Sequence, residues 1–265
     1  MKAQLSIIGG GVMGEAILSR LIASNLYLPS DVCVSDPMPE RRTLLEKKYG
    51  VQVTPNNLVA AEAEIMLLAV KPQSLNAAAI GLANAPATCI VSILAGVTLA
   101  QLEAMFPSKP IIRAMPNTPA QVGAGVTAIA SNVLVTSAQL DAVRKIFGAV
   151  GTVVEVAESL MNAVTGLSGS GPAYVALMVE AMADGGVAAG LPRAIAMQLA
   201  TQTVLGTAQL LTETNLHPAQ LKDQVTSPAG TTIAAIAQLE KAGLRSAMIE
   251  AVLAATHRAD QLGKQ

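Results

Sequence analysis

The feature that most constrains the fold is Gly9-Gly10-Gly11-Val12-Met13-Gly14, a G-x-G-x-x-G lying between the apolar run Leu5 to Ile8 and a helical pattern through Ala16, Ile17 and Leu21. A strand that turns through glycines into a helix is the opening of a dinucleotide-binding βα unit. Gly9 permits the tight turn, Gly11 lets a pyrophosphate approach the backbone, and Gly14 lets the helix pack closely on the strand. The first helical amides, those of Val12 and Met13 among them, then face the phosphates.

The pattern continues in kind. Further β-branched or apolar runs at Val32 to Ser35, Ile65 to Val70, Cys89 to Leu94 and Ile111 to Met115 alternate with helical stretches. That alternation predicts a parallel sheet with crossover helices. Val126 to Ala130 and Thr152 to Val156 are expected to extend the sheet at one edge. From about Met161 the strands vanish, and helices are expected over Ala173 to Val187, Arg193 to Thr212 and Arg245 to Leu262, with Pro192 and Pro218 at helix starts. The division is therefore a dinucleotide-binding α/β domain over residues 1–160 and an all-helical domain over 161–265.

The end of the second strand distinguishes the two nicotinamide coenzymes, because a carboxylate there grips a ribose 2′-hydroxyl while a basic residue accommodates a 2′-phosphate. Asp36 stands at the first kind of position, but Arg41 and Arg42 follow it, and Ser35 could also bond a phosphate. Asp36 could equally cap the turn before Pro37. At the end of the Ile65 to Val70 run, Ala69-Val70-Lys71-Pro72-Gln73 directs Lys71 toward the coenzyme crevice. Asn117, between Pro116 and Pro119, sits on a rigid loop able to aim its amide at a nicotinamide.

Two segments of the helical half are rich in hydroxyls and lead into helices: Thr165-Gly166-Leu167-Ser168-Gly169-Ser170-Gly171-Pro172, and Thr226-Ser227-Pro228-Ala229-Gly230-Thr231-Thr232. Helix starts of this kind bind carboxylates with backbone amides, or the hydroxyls simply cap the helix. The first lacks the final glycine of a nucleophile elbow, and the chain has only two histidines, so a serine hydrolase does not fit. Glu180 and Asp184 lie one turn apart and read either as an acid–base pair or as interface and surface charges.

Composition bears on partners. With 17 basic against 18 acidic residues, no basic field attracts nucleic acid. The uncharged stretch between Lys71 and Glu103 is broken by Gln73, Asn76, Asn84, Pro86 and Gly96, so no membrane span is expected and the protein reads as cytoplasmic. Cys33 and Cys89 lie in apolar runs as buried reduced thiols, and His217 and His257 stand alone, so no metal site is expected. Charged residues are only 13% of the chain, half the usual share. A folded monomer of this mass exposes about 10,800 Å², which is sparse charge cover, so apolar surface is expected in a subunit interface. Val175, Leu177, Met178, Val179 and Met182 surround the helix from Ala173, which should be covered on both sides. Met248, Ile249, Val252, Leu253 and Thr256 form a single packing stripe on the last helix.

In its glycine motif, Ala69 to Pro72, Met115-Pro116-Asn117-Thr118-Pro119, Ser168 to Ala173, and Lys222-Asp223-Gln224-Val225-Thr226-Ser227-Pro228 through Thr232, the chain resembles the pyrroline-5-carboxylate reductase family end to end. The resemblance implies an N-terminal Rossmann domain and a C-terminal helical domain that interleaves with a partner's, giving a homodimer or a higher ring such as a decamer. It implies reduction of 1-pyrroline-5-carboxylate to L-proline with NADP(H) or NAD(H). It further implies coenzyme contacts from Asn56, Ala69, Val70, Lys71, Pro72 and the Ala95-Gly96 turn, and a substrate loop of Ser227, Ala229, Gly230, Thr231 and Thr232. In that loop the amides of Gly230 and Thr231 would hold the carboxylate, and the Thr232 hydroxyl would serve the ring nitrogen. One departure is Ala229, where similar reductases have glycine; its methyl is expected to require a negative φ. The rival readings are a hydroxyacid or other imine reductase of the same plan, and a non-enzymatic NAD(P)-sensing regulator. The former typically has a catalytic lysine on the first helix of the second domain, and Met161 to Asp184 contains none.

Overall fold

The computed structural model describes residues 3–263. Its first part alternates β1 (Leu5–Ile8), α1 (Val12–Ala23), β2 (Val32–Ser35), α2 (Pro39–Tyr49), β3 (Gln52–Thr54), α3 (Asn57–Ala60), β4 (Ile65–Leu68) and α4 (Leu75–Ala78). It continues through β5 (Cys89–Ser92), α5 (Leu99–Met105), β6 (Ile111–Met115), β7 (Gly125–Ser131), α6 (Ser137–Gly148) and β8 (Gly151–Glu155). The rest is helical: α7 (Met161–Val164), α8 (Gly171–Ala188), α9 (Arg193–Thr214), α10 (Pro218–Gln224), α11 (Thr231–Lys241) and α12 (Leu244–Leu262).

The strands form one sheet in the order β3-β2-β1-β4-β5-β6-β7-β8. All neighbours are parallel except β6 and β7, which run antiparallel. Helices on both faces explain why the strands read as unbroken apolar runs. Leu5, Ile7, Leu67 and Val91 pack on one face with Ile17, Leu18, Leu21 and Phe147. Ile8, Met66, Leu68 and Ile90 pack on the other with Leu99, Leu102 and Phe106. The chain direction of crossover reverses between β1 and β4, so their carboxyl ends flank the crevice where doubly wound sheets bind ligands. Burial pushes the Cys89 thiol up to about 12 and raises that of Cys33, leaving both as inert core groups.

Residue contacts divide the chain into two compact units, 1–170 with 254–265 and 171–253. The composition changes near residue 160, where strands end, whereas contacts divide at Gly171 and again inside α12. Residues 161–170 carry no strand yet pack with the sheet, Met161 against Ala128 and Ala130. The glycine- and serine-rich stretch ahead of α8, expected as a capped helix start, is instead a π-helical turn over Thr165–Gly169. Thr165 and Ser168 donate back to the carbonyls of Met161 and Val164 at 2.9 and 3.0 Å, and Ser170 N–H reaches Thr165 O at 2.9 Å. These hydroxyls are spent on the preceding turn and do not cap α8.

The unit 171–253 buries few large apolar side chains of its own. Its buried hydrophobic residues are Ala183, Ala196 and Ala200, small groups at the α8–α9 contact. Leu177 is 67% exposed, and it joins Ala173, Ala176, Val179, Glu180 and Met197 around an open groove of about 620 Å³. The expectation that α8 is covered on both sides is thus not met within one chain, and Met248, Ile249 and Leu253 of the α12 stripe are likewise exposed. Asp184 pairs with Arg193, which makes it a surface ion pair instead of half of an acid–base couple. Among the described residues, no helix is long and apolar enough to cross a membrane.

Candidate active site

The candidate coenzyme cradle begins where β1 ends. Gly9 has φ +106°, and a Cβ there would stand 2.7 Å from the Ala69 carbonyl oxygen, so the turn and the close approach of β4 both require glycine. A Cβ on Gly14 would meet Gly9 O at 2.2 Å, which fixes the packing of α1 on β1. Gly11 is the opposite case. It is exposed, a Cβ would meet nothing within 4 Å, and as the cap of α1 it offers no side chain to the first helical amides. The N–H groups of Val12, Met13 and Gly14 have no intrahelical acceptor, so an open, amide-lined helix start faces the switch point. Those residues fit a dinucleotide pyrophosphate.

The end of β2 departs from expectation. Asp36 is nine-tenths buried, and its Oδ2 and Oδ1 accept the N–H groups of Gly10 and Met38, each at 2.9 Å. The carboxylate braces the glycine turn against the β2–α2 loop, so of the two readings of Asp36 the structure takes the turn cap. Ser35 is fully buried and donates to Asn57 Oδ1 at 2.6 Å, so its hydroxyl serves the fold and is not offered to a phosphate. Arg42 donates to the carbonyls of Asp36 and Pro37 at 2.8 and 2.9 Å. Arg41 donates to the Gly10 carbonyl and to Glu15 Oε2 across the start of α1. Glu15 also accepts from Lys48 Nζ and Tyr49 Oη, at 2.9 and 2.8 Å. Partial burial by itself raises the Glu15 carboxyl, but the bonds from Lys48, Tyr49 and Arg41 outweigh it and hold the group at about 2.

Of the remaining expected contacts, Lys71 and Pro72 are exposed just beyond β4, with Ala69 and Val70 half-buried behind them. Asn56 is exposed and caps α3, its side chain accepting from Leu58 N–H at 3.0 Å. The Ala95-Gly96 turn packs against the end of α12, where a Cβ on Gly263 would meet Gly96 O at 2.8 Å. Asn117 is nine-tenths buried. Its Oδ1 accepts from Val126 N–H at 2.9 Å and its Nδ2 donates to Ser168 O at 3.2 Å, so the side chain ties β7 to the π-helical turn and is not aimed outward.

The candidate substrate loop, Ser227 to Thr232, is a tight turn. Gly230 N–H donates to Ser227 O at 3.1 Å, with Pro228 and Ala229 at the central positions. Ala229 has φ +56°, so the expectation of a negative φ is overturned: proline at the first central position and a positive φ at the second are the marks of a type II turn. A Cβ on Gly230 would lie 2.3 Å from Ser227 Oγ. Gly230 therefore caps α11 with no side chain, and its own N–H is already taken by the turn. The amides open to a carboxylate are those of Thr231, Thr232 and Ile233, one step further along than expected.

With this geometry in hand, comparison with known proteins decides the family. A family model described as pyrroline-5-carboxylate reductase dimerisation matches residues 158–262, and one described as NADP oxidoreductase, coenzyme F420-dependent, matches residues 4–96. A pyrroline-5-carboxylate reductase from Synechocystis sp. is 61% identical over 269 residues, covering all of both chains. The chain belongs to the pyrroline-5-carboxylate reductase family. Among solved structures, the reductase from Coxiella burnetii matches with a TM-score of 0.92 at 37% identity over 99% of each chain. A Plasmodium falciparum pyrroline carboxylate reductase with NADP bound matches at 0.90 and 30% identity, again over 99% of each.

Within this reductase family plan, three residues of the cradle escaped the sequence reading. A Cβ on Gly10 would come within 2.6 Å of the Leu45 side-chain tip, so the residue between the two motif glycines packs directly against α2. Asn57 links Ser35 to the Ala78 carbonyl. Glu15 gathers partners 26 to 34 residues away, and no local pattern signals that gathering.

Proposed function

We infer that this chain is an NAD(P)H-dependent oxidoreductase that reduces 1-pyrroline-5-carboxylate to L-proline, the closing step of proline biosynthesis. The observation that carries the substrate side is the bare start of α11, where a side-chain-free cap leaves three amides and two threonine hydroxyls for a small carboxylate. A reduced nicotinamide supplies the hydride. The protonated cyclic imine is already electrophilic, so the chain's task is positioning and water exclusion, and no histidine or cysteine is needed. Thr231, Thr232 and Ile233 amides hold the carboxylate with the dipole of α11 behind them. The Thr232 hydroxyl holds the proton at the ring nitrogen, with Ser227 and Ala229 shaping the turn. Gly9, Gly11, Val12, Met13 and Gly14 seat the pyrophosphate, and Lys71, Pro72 and Asn56 line the approach.

In the same reading, the apolar surface of α8, α9 and α12 is covered by a second copy, with a homodimer as the minimal unit and a decameric ring as its larger form. The working compartment is the cytoplasm, and residues 1–160 and 161–265 divide the tasks of coenzyme and substrate binding. The test is direct. Purified protein with NADPH and 1-pyrroline-5-carboxylate should yield L-proline in equal amount to the NADPH consumed. Absence of turnover with both NADPH and NADH overturns the assignment.

A further inference from the structure

The end of β2 holds more positive charge than a ribose hydroxyl requires. Arg41, Arg42 and Lys48 gather there against Asp36 and Glu15, and Asp36 is turned inward onto backbone amides. Arg42 contacts only neutral carbonyl oxygens and has no ion pair among the described residues. Arg41 lies over the Gly10 and Gly11 carbonyls, and Glu15 on the first turn of α1 is its one carboxylate partner among the described residues. The Arg41 and Glu15 side chains retain 25% and 19% exposure, so a ligand phosphate can reach the pair.

We propose that Glu15 tunes coenzyme preference by competing with a ribose 2′-phosphate for the guanidinium of Arg41. The proposal rests on the assignment of the glycine turn as the coenzyme seat. With Asp36 withdrawn, the acceptor of a 2′-phosphate is the Arg41–Arg42 pair, which presents planar donors suited to phosphate oxygens. Binding of a 2′-phosphorylated coenzyme must then draw Arg41 from Glu15, whereas a coenzyme with a free 2′-hydroxyl leaves the ion pair intact. Lys48 and Tyr49 share Glu15 and so weaken its hold on Arg41. Glu15 is a positioning residue in this scheme: it touches no ligand, and its effect passes through Arg41.

Calorimetric titration with 2′,5′-ADP and with 5′-AMP isolates the 2′-phosphate from the rest of the coenzyme. Glu15→Gln should raise the ratio of 2′,5′-ADP to AMP affinity roughly two- to fivefold, the worth of a partly exposed ion pair. Arg41→Met should lower that ratio about tenfold or more, and in the Glu15→Gln/Arg41→Met double variant the Glu15 effect should vanish. Lys48→Met, which leaves Arg41 as the sole cation on Glu15, should move the ratio opposite to Glu15→Gln. A change that persists without Arg41 reflects general electrostatics and overturns the proposal, as does an unchanged ratio in Glu15→Gln, or a Lys48→Met shift in the same direction as Glu15→Gln. If the wild-type protein binds neither nucleotide, the coenzyme seat itself falls; if it binds both and Glu15→Gln does nothing, only the role of Glu15 falls.

Discussion

The unit built on the sheet and the unit 171–253 are both rich in apolar residues, but those residues meet opposite fates. In the sheet unit, Phe106, Phe147, Leu5, Ile7, Ile17 and Met66 are fully buried in two layers. In the helical unit the buried hydrophobics are alanines, and Leu177, Leu199, Leu205, Ile249 and Leu253 are more than half exposed. The chain as a whole exposes 14409 Å², against about 10,800 Å² for a folded monomer of its mass. Apolar content alone therefore does not say whether burial occurs within a chain or between chains. α8 is apolar around its circumference, while α9 covers one side of it, and the remaining surface stays exposed within one chain.

The largest effect should come from breaking that surface. Leu177→Glu places a charge in the α8 groove, where burial without a partner costs several kcal/mol. Sedimentation should show the assembly dissociating at least about a hundredfold more readily while the melting of the sheet unit is unchanged. An unaltered sedimenting mass would remove α8 from the interface. Next is the substrate loop: Thr232→Ala should lower kcat/KM for the imine by about 10- to 100-fold, the usual worth of a placed proton donor, with coenzyme affinity unchanged in a fluorescence titration. Turnover equal to wild type would exclude Thr232 from the chemistry.

A smaller effect sharpens the comparison from the sheet side. Glu15 titrates at about 2 in the folded chain against its usual 4.5. A lowered folded value stabilises the protein above the unfolded value and loses that contribution as pH falls from about 4.5 toward 2. The melting-temperature gap between wild type and Glu15→Gln should thus be full at neutral pH and close across that window; a constant gap would mean that the lost bonds matter through packing alone. The smallest effect belongs to Ala229→Gly. Removing a Cβ from left-handed backbone gains about 1 kcal/mol, partly offset by the freer unfolded chain, so denaturant unfolding should shift by less than about 1 kcal/mol. A larger loss would assign the Ala229 methyl a packing role.

Much of the sheet was legible because it rests on local signals. Short unbroken apolar runs, glycines at a strand-to-helix turn and prolines at helix starts each act within a few residues, and β1, α1, β7, β8 and α9 lie where those signals put them. The residues that the sequence leaves ambiguous or misplaces are mostly those with partners far along the chain. Ser35 and Asn117 look like ligands because polar groups at strand ends often are, yet each finds a protein partner brought in by the fold: Asn57 for Ser35, Val126 and Ser168 for Asn117. Asp36 takes the turn-capping alternative at Met38, and the fold adds Gly10 as a second partner. Thr165 and Ser168 look like caps, but the helix runs through them. Ala229 breaks a rule of backbone preference because the turn before α11 demands a positive φ whatever the residue.

The sequence by itself determined the doubly wound plan, the glycine turn between β1 and α1 and the family, since these depend on residue type and spacing along the chain. Only the tertiary structure decided which polar groups are spent inside the protein and which remain for a ligand, and which amides at Gly230 to Ile233 stay open. Hydrogen-bond capacity is settled pairwise in space, so a side chain's availability depends on neighbours that its own stretch of sequence does not name.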